Sequence, residues 1–319
     1  MIYRFKKKLG LASYEDYKIN NYYALLKSYL ANNDINFIFL NLTNTAPFAL
    51  LIKKHWPNVK VILCSHGNES GDHLHDINLH NKHKGFFKNT AIYSLGNMLT
   101  KESIFRKYID LVLTVSDVEV GIEKWLSAKQ VFMVPRFIEK QNEKYNPTLG
   151  RVGFISDLSH EPNYFGILEV CKELNFLTHQ PIKIRLVGGG KVRGELLEKQ
   201  YSFIEYLGYL PAEKIVEEIS TWTFSLNPVF FYSRGVSTKL AKSLGMGYPV
   251  ITTHIGMRGY AWHKGNLPVC NTAKEMAILI TQLSLDKKAC DHYKNEVIKI
   301  QHSSPSLIEM IKEINNLLN

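Results

Sequence analysis

The chain has 319 residues, of which 45% are hydrophobic and 21% charged, and its formal net charge is +10. No run approaches the roughly 18 apolar residues of a membrane-spanning helix, and no apolar segment follows the basic start MIYRFKKKLG, so we expect neither a membrane span nor a signal peptide. The four cysteines are scattered without a CxxC pair, which argues against a disulfide scaffold or a zinc ribbon and fits a reducing cytosol. A basic surface attracts nucleic acid, anionic lipid or phosphorylated ligands, and a solvated lysine-rich face explains the charge equally well.

Short apolar runs alternate with helical patterns in the first half of the chain. In chain order, the pattern predicts a strand in DINFIFLNL and a helix in APFALLIKKHW. Pro57 ends that helix because proline disfavours helix in the residue before it. Strands are then predicted in VKVILC and LVLTVS, a helix in DVEVGIEKWL and a strand in VFMVP.

The second half begins the same alternation again. It predicts a strand in GRVGFIS, a helix in EPNYFGILEVCKEL, strands in IKIRLVGGG and FIEYLGYL, a helix in PAEKIVEEIST and a strand in WTFSLNPV. A loop, helix and turn follow in SRGVSTKLAKSLGMG, then a strand in YPVITT. The segment SPSLIEMIKEINNLL keeps helical apolar spacing and predicts a last helix.

Strands that alternate with helices predict a parallel sheet covered on both faces. The two series meet near EKQNEKYNPTLG, so we expect two doubly wound α/β domains, at residues 1–146 and 147–302, followed by a C-terminal helix at 303–319. Ligands of such sheets bind beyond the carboxyl ends of the strands. The candidate site loops are therefore SHGNES, SDLSHEPN, GGGK, GYL and FFYSRG.

The start of the helix in SRGVSTKLAKSLG is a candidate anion site. Helix-start amides lack intrahelical partners, so the amides from Gly235 through Val236 and Ser237 to Thr238 could hold a phosphate. Lys239, one turn into the helix, would neutralise it, although a solvated first-turn lysine on an ordinary packing helix is the alternative. Arg234 would add a bidentate phosphate contact or would be a surface loop charge.

Two other features carry weaker signals. The glycine run Gly188, Gly189 and Gly190 follows a strand, where it permits close approach of a ligand or forms a plain turn, and it lacks the full GxGxxG pattern. A histidine-rich stretch could bind metal, but no pair has the helical i, i+4 spacing with a distant third ligand that metalloproteases use, and a polar loop over the acceptor cleft is the better interpretation. Its members are His66, Glu69, Asp72, His73, His75, Asp76, His80 and His83. No nucleic-acid-binding signature is present.

Several segments, in order from about residue 33 onward, resemble the retaining nucleotide-sugar glycosyltransferases of the GT-B fold, family four, also called glycosyl transferases group 1. In the second half these segments are VGFISDLSHEPNYFGI, LVGGG with YLGYLP, and GVSTKLAKSLGMGYPVITTHIGMRGY. In the first half they are NTAPFALLIKKHWPNVKVILCSHGNES and VLTVSDVEVGIEKWL followed by VFMVP. The resemblance implies two Rossmann-like domains that face a cleft, with a shortened N-terminal domain and a last helix that crosses back to it.

The resemblance also implies roles for individual residues. His66 would be catalytic, facing the donor sugar, and Lys239 would hold the donor diphosphate. Gly208 and Tyr209 would lie beside the nucleotide base, and Gly188, Gly189 and Lys242 would also belong to the nucleotide-binding residues. Asn163 would be a further residue of the cleft. The enzyme would be a hexosyl-type retaining transferase without a metal or other cofactor, and the nucleotide sugar would be its co-substrate.

The chain departs from the family at two glutamates, which Arg234 and Lys242 replace. The second of these glutamates commonly holds the ribose, and a lysine cannot accept hydrogen bonds from ribose hydroxyls. The alternative function is therefore a catalytically retired GT-B module that binds a partner or a glycan. For an active enzyme, the resemblance implies a glycan or lipid-linked acceptor in surface polysaccharide biosynthesis. It further implies a cytoplasmic protein whose basic segment RFKKK contacts the anionic inner face of the cell membrane.

Overall fold

The computed structural model describes residues 19–79, 86–141, 144–177, 181–231 and 234–318, so the basic segment RFKKK lies outside the described residues. The chain divides into two compact units. The first unit runs to Val134 and also includes Arg234 and Gly235, and the second unit holds the rest of the chain from Pro135 onward.

This division comes earlier than the predicted domain boundary at residue 146. The physical reason is backbone hydrogen bonding after Pro135, where the amide of Arg136 donates to the carbonyl of Gly259 and the amide of Gln141 donates to that of Gly245. The connecting segment is therefore part of the second unit.

The first unit contains a four-stranded parallel sheet in the order β1-β2-β3-β4. Its helices and strands are α1 (Ile19–Asn32), β1 (Phe37–Asn41), α2 (Pro47–His55), β2 (Lys60–Cys64), α3 (Glu69–Leu79), α4 (Phe86–Arg106), β3 (Leu111–Thr114), α5 (Asp117–Trp125) and β4 (Val131–Met133). A short 3-10 turn covers Thr43–Thr45. Strand β2 is a continuous apolar run because it is central and covered on both faces, and α2 packs Ala49 and Ile52 into the same core.

The second unit contains a six-stranded parallel sheet in the order β10-β9-β8-β5-β6-β7. Its helices and strands are β5 (Arg151–Ile155), α6 (Glu161–Leu177), β6 (Lys183–Val187), α7 (Lys191–Gln200), β7 (Ile204–Gly208), α8 (Ala212–Ser220), β8 (Phe224–Asn227), α9 (Thr238–Met246), β9 (Val250–Thr253), β10 (Val269–Cys270), α10 (Ala273–Leu283), α11 (Lys287–Ser303) and α12 (Leu307–Leu318). A 3-10 turn covers Ile255–Met257. This strand order reverses direction at β5, so a crevice is expected beyond the carboxyl ends of β5 and β8.

The core of the second unit forms between this sheet and the helices on its faces. Val152 and Phe154 of β5 and Ile184 of β6 are almost fully buried in it. Gly153 lies between them, and a Cβ built on it would be 2.0 Å from the Trp222 ring. Only glycine therefore leaves room for the Trp222 side chain, which packs in a separate buried cluster with Ile219 and Met246.

The α/β class with two parallel sheets is confirmed, and each strand predicted from the sequence forms. The prediction of a polar loop after His66 is wrong, because Glu69–Leu79 forms the helix α3. Glu69 and Asp72 in its first turn stabilise the helix start. Helix α4 was not predicted, because its apolar residues point both inward, like Ala91, and outward, like Tyr93.

The C-terminal helix forms as predicted, as α12, and groups with the second unit. Its return to the first domain stays a prediction. Among the helices of the described chain, none combines the length and the apolar character that crossing a bilayer requires.

Candidate functional site

A cavity of about 290 Å³ lies in the second unit, at the point where the strand order of the sheet reverses. The end of β5 and the first two turns of α9 contribute the polar lining, and residues around β8 contribute most of the apolar lining. The lining residues are Ile155, Ser156, Asp157, Ile219, Trp222, Ser225, Leu226, Thr238, Lys239, Lys242, Ser243 and Met246.

Lys239 places a positive charge in this cavity. Its ammonium lies 2.8 Å from Oδ1 of Asn163 and 5.9 Å from the centre of the Phe154 ring. Burial lowers the pKa of Lys239 below the ordinary lysine value. Across the described residues, no carboxylate lies within ion-pair distance of this ammonium. A desolvated cation with a neutral partner is costly to hold, and an anion in the cavity would offset that cost.

Asn163, in the first turn of α6, uses both ends of its side-chain amide. While Oδ1 accepts from Lys239, Nδ2 donates to the backbone carbonyl of Asp157 at 2.9 Å. Asn163 therefore links the Lys239 ammonium to the loop that follows β5. Asn163 and Lys239 were both predicted as residues of the ligand cleft, and the structure brings them together.

The start of α9 is only partly available to a ligand. Ser237 is the N-cap residue, yet its hydroxyl donates to Oδ1 of Asn227 at 2.7 Å, and its carbonyl accepts from the Tyr260 hydroxyl. Tyr260 also accepts from the amide of Ala241 at 2.8 Å. Thr238 is exposed and lines the cavity. The Ser237 hydroxyl is thus occupied within the protein, whereas Thr238 lines the cavity.

Arg234 and Gly235 belong to the first unit, where they contact carboxylates. Arg234 pairs with Glu69, and its Nε lies 2.7 Å from Oδ2 of Asp72. The amide of Gly235 donates to Oε1 of Glu119 at 2.8 Å. Carboxylates therefore occupy the positions at which these two residues were expected to contact phosphate, because the first turn of α3 brings acidic side chains to the guanidinium.

His66 lies at the carboxyl end of β2, as predicted. It is exposed, and its Nε2 is 3.0 Å from Oδ1 of Asn41 at the end of the neighbouring strand β1. Gly67 follows with φ +97°, and a Cβ there would be 2.8 Å from Oε1 of Glu119. The backbone turn that presents His66 thus requires glycine.

The glycine run after β6 fits closely against the loop after β5. Gly188 has φ +129°, and a Cβ on it would be 2.2 Å from the carbonyl oxygen of Ser156. A Cβ on Gly189 would be 2.9 Å from both Oδ1 of Asp157 and the hydroxyl of Tyr209. Gly208 has φ +67°, and Tyr209 beside it is 80% exposed. The glycines allow the strand ends to meet, which brings Asp157 beside Tyr209.

Asp157 is the site residue that the sequence analysis missed. Its loop, SDLSHEPN, was predicted as a site loop, but this carboxylate was not predicted as a site residue. Its Oδ1 accepts from the amide of Ser159 at 2.8 Å, and hydrogen bonds from Ser159 lower the pKa of Asp157. A carboxylate directly after the first strand of the second series was the signal that could have identified it.

The histidine-rich stretch does not form a metal centre in the part of the chain that is described, where no group of three or more histidine, cysteine or acidic side chains could hold an ion. His73 is buried, and its Nε2 lies 3.1 Å from the carbonyl of Ala91 on α4. His80, His83 and the side chain of Asp76 lie outside the described residues.

Residues 150–286 match the family model of Glycosyl transferases group 1. The search of curated proteins found no match. Among solved structures, TarM has a TM-score of 0.68 at 16% identity, over 93% of this chain and 58% of its own. Sucrose-phosphate synthase from Thermosynechococcus elongatus has a TM-score of 0.69 at 14% identity, over 93% of this chain and 77% of its own.

A third structure, of Anabaena HepE in complex with UDP and glucose, has a TM-score of 0.64 at 13% identity, over 94% of this chain and 83% of its own. The present chain thus spans less than two thirds of TarM and more of the other two proteins. Similarities at such identities establish the fold alone. Residues 150–286 thus resemble Glycosyl transferases group 1, and the chain has the fold of the GT-B glycosyltransferases.

Proposed function

We propose that the chain transfers a sugar, with retention at the anomeric carbon, from a nucleotide-diphosphate donor to a hydroxyl of a glycan or lipid-linked acceptor. The observation that carries this proposal is the half-buried Lys239 ammonium, which lines the cavity and has the neutral Asn163 as its partner. A diphosphate would give this ammonium a negatively charged partner, which the neutral Asn163 does not provide. The group 1 family match and the UDP and glucose bound to HepE agree with such a donor.

In the proposed reaction, the bond between the anomeric carbon and the diphosphate oxygen breaks while a bond to the acceptor oxygen forms. Negative charge develops on the leaving diphosphate, where Lys239 and the amides at the start of α9 stabilise it. The leaving phosphate takes the proton of the acceptor hydroxyl. His66 hydrogen-bonds the donor sugar or the leaving phosphate, and basic side chains take the place of a metal ion.

We also propose a place for this activity. The acceptor belongs to surface polysaccharide biosynthesis, and the basic segment RFKKK holds the cytoplasmic protein at the inner face of the membrane. One protein of similar fold is described as a lipopolysaccharide outer core galactosyltransferase, WaaB, at 12% identity.

A second candidate is a GT-B module that has lost catalysis and binds a partner. Two observations favour it. Arg234 is already paired with Glu69 and Asp72, and Lys242 occupies the position at which the ribose-binding carboxylate is expected. Such a module would bind no nucleotide sugar.

Thermal unfolding with a panel of nucleoside diphosphates separates the two candidates. A ligand at 100 times its dissociation constant stabilises the protein by about 2.7 kcal/mol. A stabilised protein that also releases nucleoside diphosphate from a nucleotide sugar, in the presence of an acceptor extract, supports transfer. An absent shift across the whole panel contradicts transfer and favours the retired module.

A further inference from the structure

We propose that Asp157 is the residue that binds the ribose hydroxyls of the nucleotide, in the role that a carboxylate at position 242 would otherwise have. This inference rests on the proposed function, because it assumes that a nucleoside diphosphate occupies the cavity of the second unit. It identifies a specificity-determining residue that lies on the loop after β5 instead of on α9.

The chemistry of the cavity lining leads to this assignment. A ribose diol donates two hydrogen bonds, and a carboxylate is the strongest side-chain acceptor for them. Lys239 and Lys242 are donors only, and hydroxyl groups supply the remaining polar lining of α9. Asp157 is the one carboxylate among the described residues that line the cavity.

The position of Asp157 is fixed before any ligand arrives. Its Oδ1 accepts from the amide of Ser159 at 2.8 Å, and its backbone carbonyl accepts from Asn163 at 2.9 Å. The hydrogen bond from the Ser159 amide to Oδ1 orients the carboxylate and leaves Oδ2 as the oxygen that can accept from a ligand. Because Asn163 also holds Lys239, one side chain ties the proposed ribose acceptor to the proposed phosphate cation.

A second polar atom of the same loop supports a ligand there. The hydroxyl oxygen of Ser156 is buried, lines the same cavity and has no hydrogen-bond partner within the described protein. Buried polar atoms are normally satisfied, so an unsatisfied one that faces a cavity indicates a missing partner. A ribose hydroxyl near Asp157 would provide that partner.

Lys242 lines the same cavity as Asp157. It is exposed, on the face of α9 that lines the cavity one turn after Lys239. As a donor, it can bind a ribose oxygen or pair with the Asp157 carboxylate that holds the diol. In this proposal the hydrogen-bond acceptor for the ribose, Asp157, lies on the loop after β5, and a donor, Lys242, lies on α9 where a carboxylate is otherwise expected.

The test uses isothermal titration of the full chain. The probe is whichever of UDP, GDP, ADP or CDP binds tightest, together with its 2′,3′-dideoxy analogue. Asp157→Asn is the informative variant, because its amide oxygen can still accept from the Ser159 amide, while an NH2 donor replaces the second carboxylate oxygen. Glu169→Gln, an exposed carboxylate elsewhere on α6, is the matched control.

Wild type and Glu169→Gln should bind the ribonucleotide more tightly than the dideoxy analogue. Asp157→Asn should lose ~10-fold or more of that preference and bind the analogue as well as wild type does. Adding Lys242→Glu to Asp157→Asn should restore the preference, because it returns a carboxylate to the cavity.

The failure of this inference is distinguishable from the failure of the proposed function. If wild type binds a nucleoside diphosphate and Asp157→Asn keeps the full preference for the ribonucleotide, the assignment of Asp157 is overturned and the proposed function stands. If wild type binds none of the four nucleoside diphosphates, both are overturned.

Discussion

The ammonium of Lys239 and the side-chain oxygen of Asn163 are joined at 2.8 Å, at the edge of the second sheet where its strand order reverses. The two residues are far apart in sequence and lie on the first turns of two different helices, α9 and α6. An amide oxygen orients the ammonium without neutralising it. This relationship keeps a full positive charge available to a ligand.

Lys239→Met should weaken nucleoside-diphosphate binding, because methionine keeps the apolar stem and removes the charge. Hydrogen bonds to charged groups contribute about 1.5–3 kcal/mol, which corresponds to roughly 10- to 150-fold in affinity. The free energy of unfolding should not fall, because the variant removes a desolvated cation that lacks a carboxylate partner. Titration calorimetry and urea unfolding check both results, with Lys172→Met on the exposed face of α6 as control. Equal affinity in Lys239→Met and wild type would contradict the anion site.

The affinity for nucleoside diphosphate should depend on pH through Lys239. Burial lowers the pKa of Lys239, so the ammonium of the free protein loses its proton below the ordinary lysine value. Affinity should therefore fall as pH rises through this lowered pKa. Titrations across the alkaline range should show the fall in wild type and not in Lys239→Met. A fall of the same size in both proteins would assign it to another group.

The same shift has the opposite effect on stability. Between the lowered pKa of Lys239 and the ordinary lysine value, the unfolded chain binds the proton more readily than the folded one. This group alone makes the free energy of unfolding rise with pH across that window. Urea unfolding of wild type and Lys239→Met at several pH values isolates the contribution as the difference between the two curves.

His66→Ala should lower the rate of sugar transfer more than it lowers donor affinity. The reason is its expected place beside the reacting sugar, where contacts count in the transition state. Because His66 contacts Asn41, the variant Asn41→Ala should give a smaller loss in rate by releasing the ring. The measurements are single-turnover transfer and separate calorimetric binding of the donor. Unchanged transfer in His66→Ala would leave the histidine as a polar residue of the strand end.

Two helical glycines should respond oppositely to alanine. A Cβ on Gly245 of α9 would be 2.3 Å from the carbonyl oxygen of Glu139, so Gly245→Ala should destabilise the protein by about 1–3 kcal/mol. A Cβ on Gly121 of α5 meets no atom within 4 Å, so Gly121→Ala should stabilise by up to about 1 kcal/mol through helix propensity. Urea unfolding of both variants checks the signs, and a stabilising Gly245→Ala would contradict the packing of α9 on the connecting segment.

The buried ion pair between Arg106 and Glu123 should be sensitive to the loss of one partner. Nε of Arg106 lies 2.5 Å from Oε2 of Glu123, and both side chains are fully buried. Arg106→Met should cost about 3–5 kcal/mol of unfolding free energy, because it leaves a buried carboxylate without its guanidinium. The double variant Arg106→Met with Glu123→Leu should recover much of this loss. Chemical unfolding of wild type, Arg106→Met, Glu123→Leu and the double variant checks the coupling, and additive losses would argue against it.

Local patterns were sufficient to predict most of the secondary structure. Apolar runs such as VKVILC and RVGFI occur where strands are covered on both faces, and they became β2 and β5. Helix α4 escaped prediction because its apolar side chains lie on both its exposed and its buried faces, so no clear periodicity results. The polar start of α3 resembled a loop because histidines and acids alternate there.

For the candidate site, likewise, some features follow from the local sequence and others only from contacts between distant segments. The sequence by itself determined that Gly188, Gly189 and Lys239 lie at strand ends and helix starts, because those positions follow from the order of strands and helices. Only the tertiary structure decided that Arg234 pairs with Glu69 and Asp72, that Asp157 lines a cavity with Lys239, and that Asn163 joins them. Hydrophobic periodicity records which face of a helix or strand is buried, whereas a charged side chain is compatible with solvent, an ion pair or a ligand. Which of these it meets depends on residues brought near by the folding of distant segments.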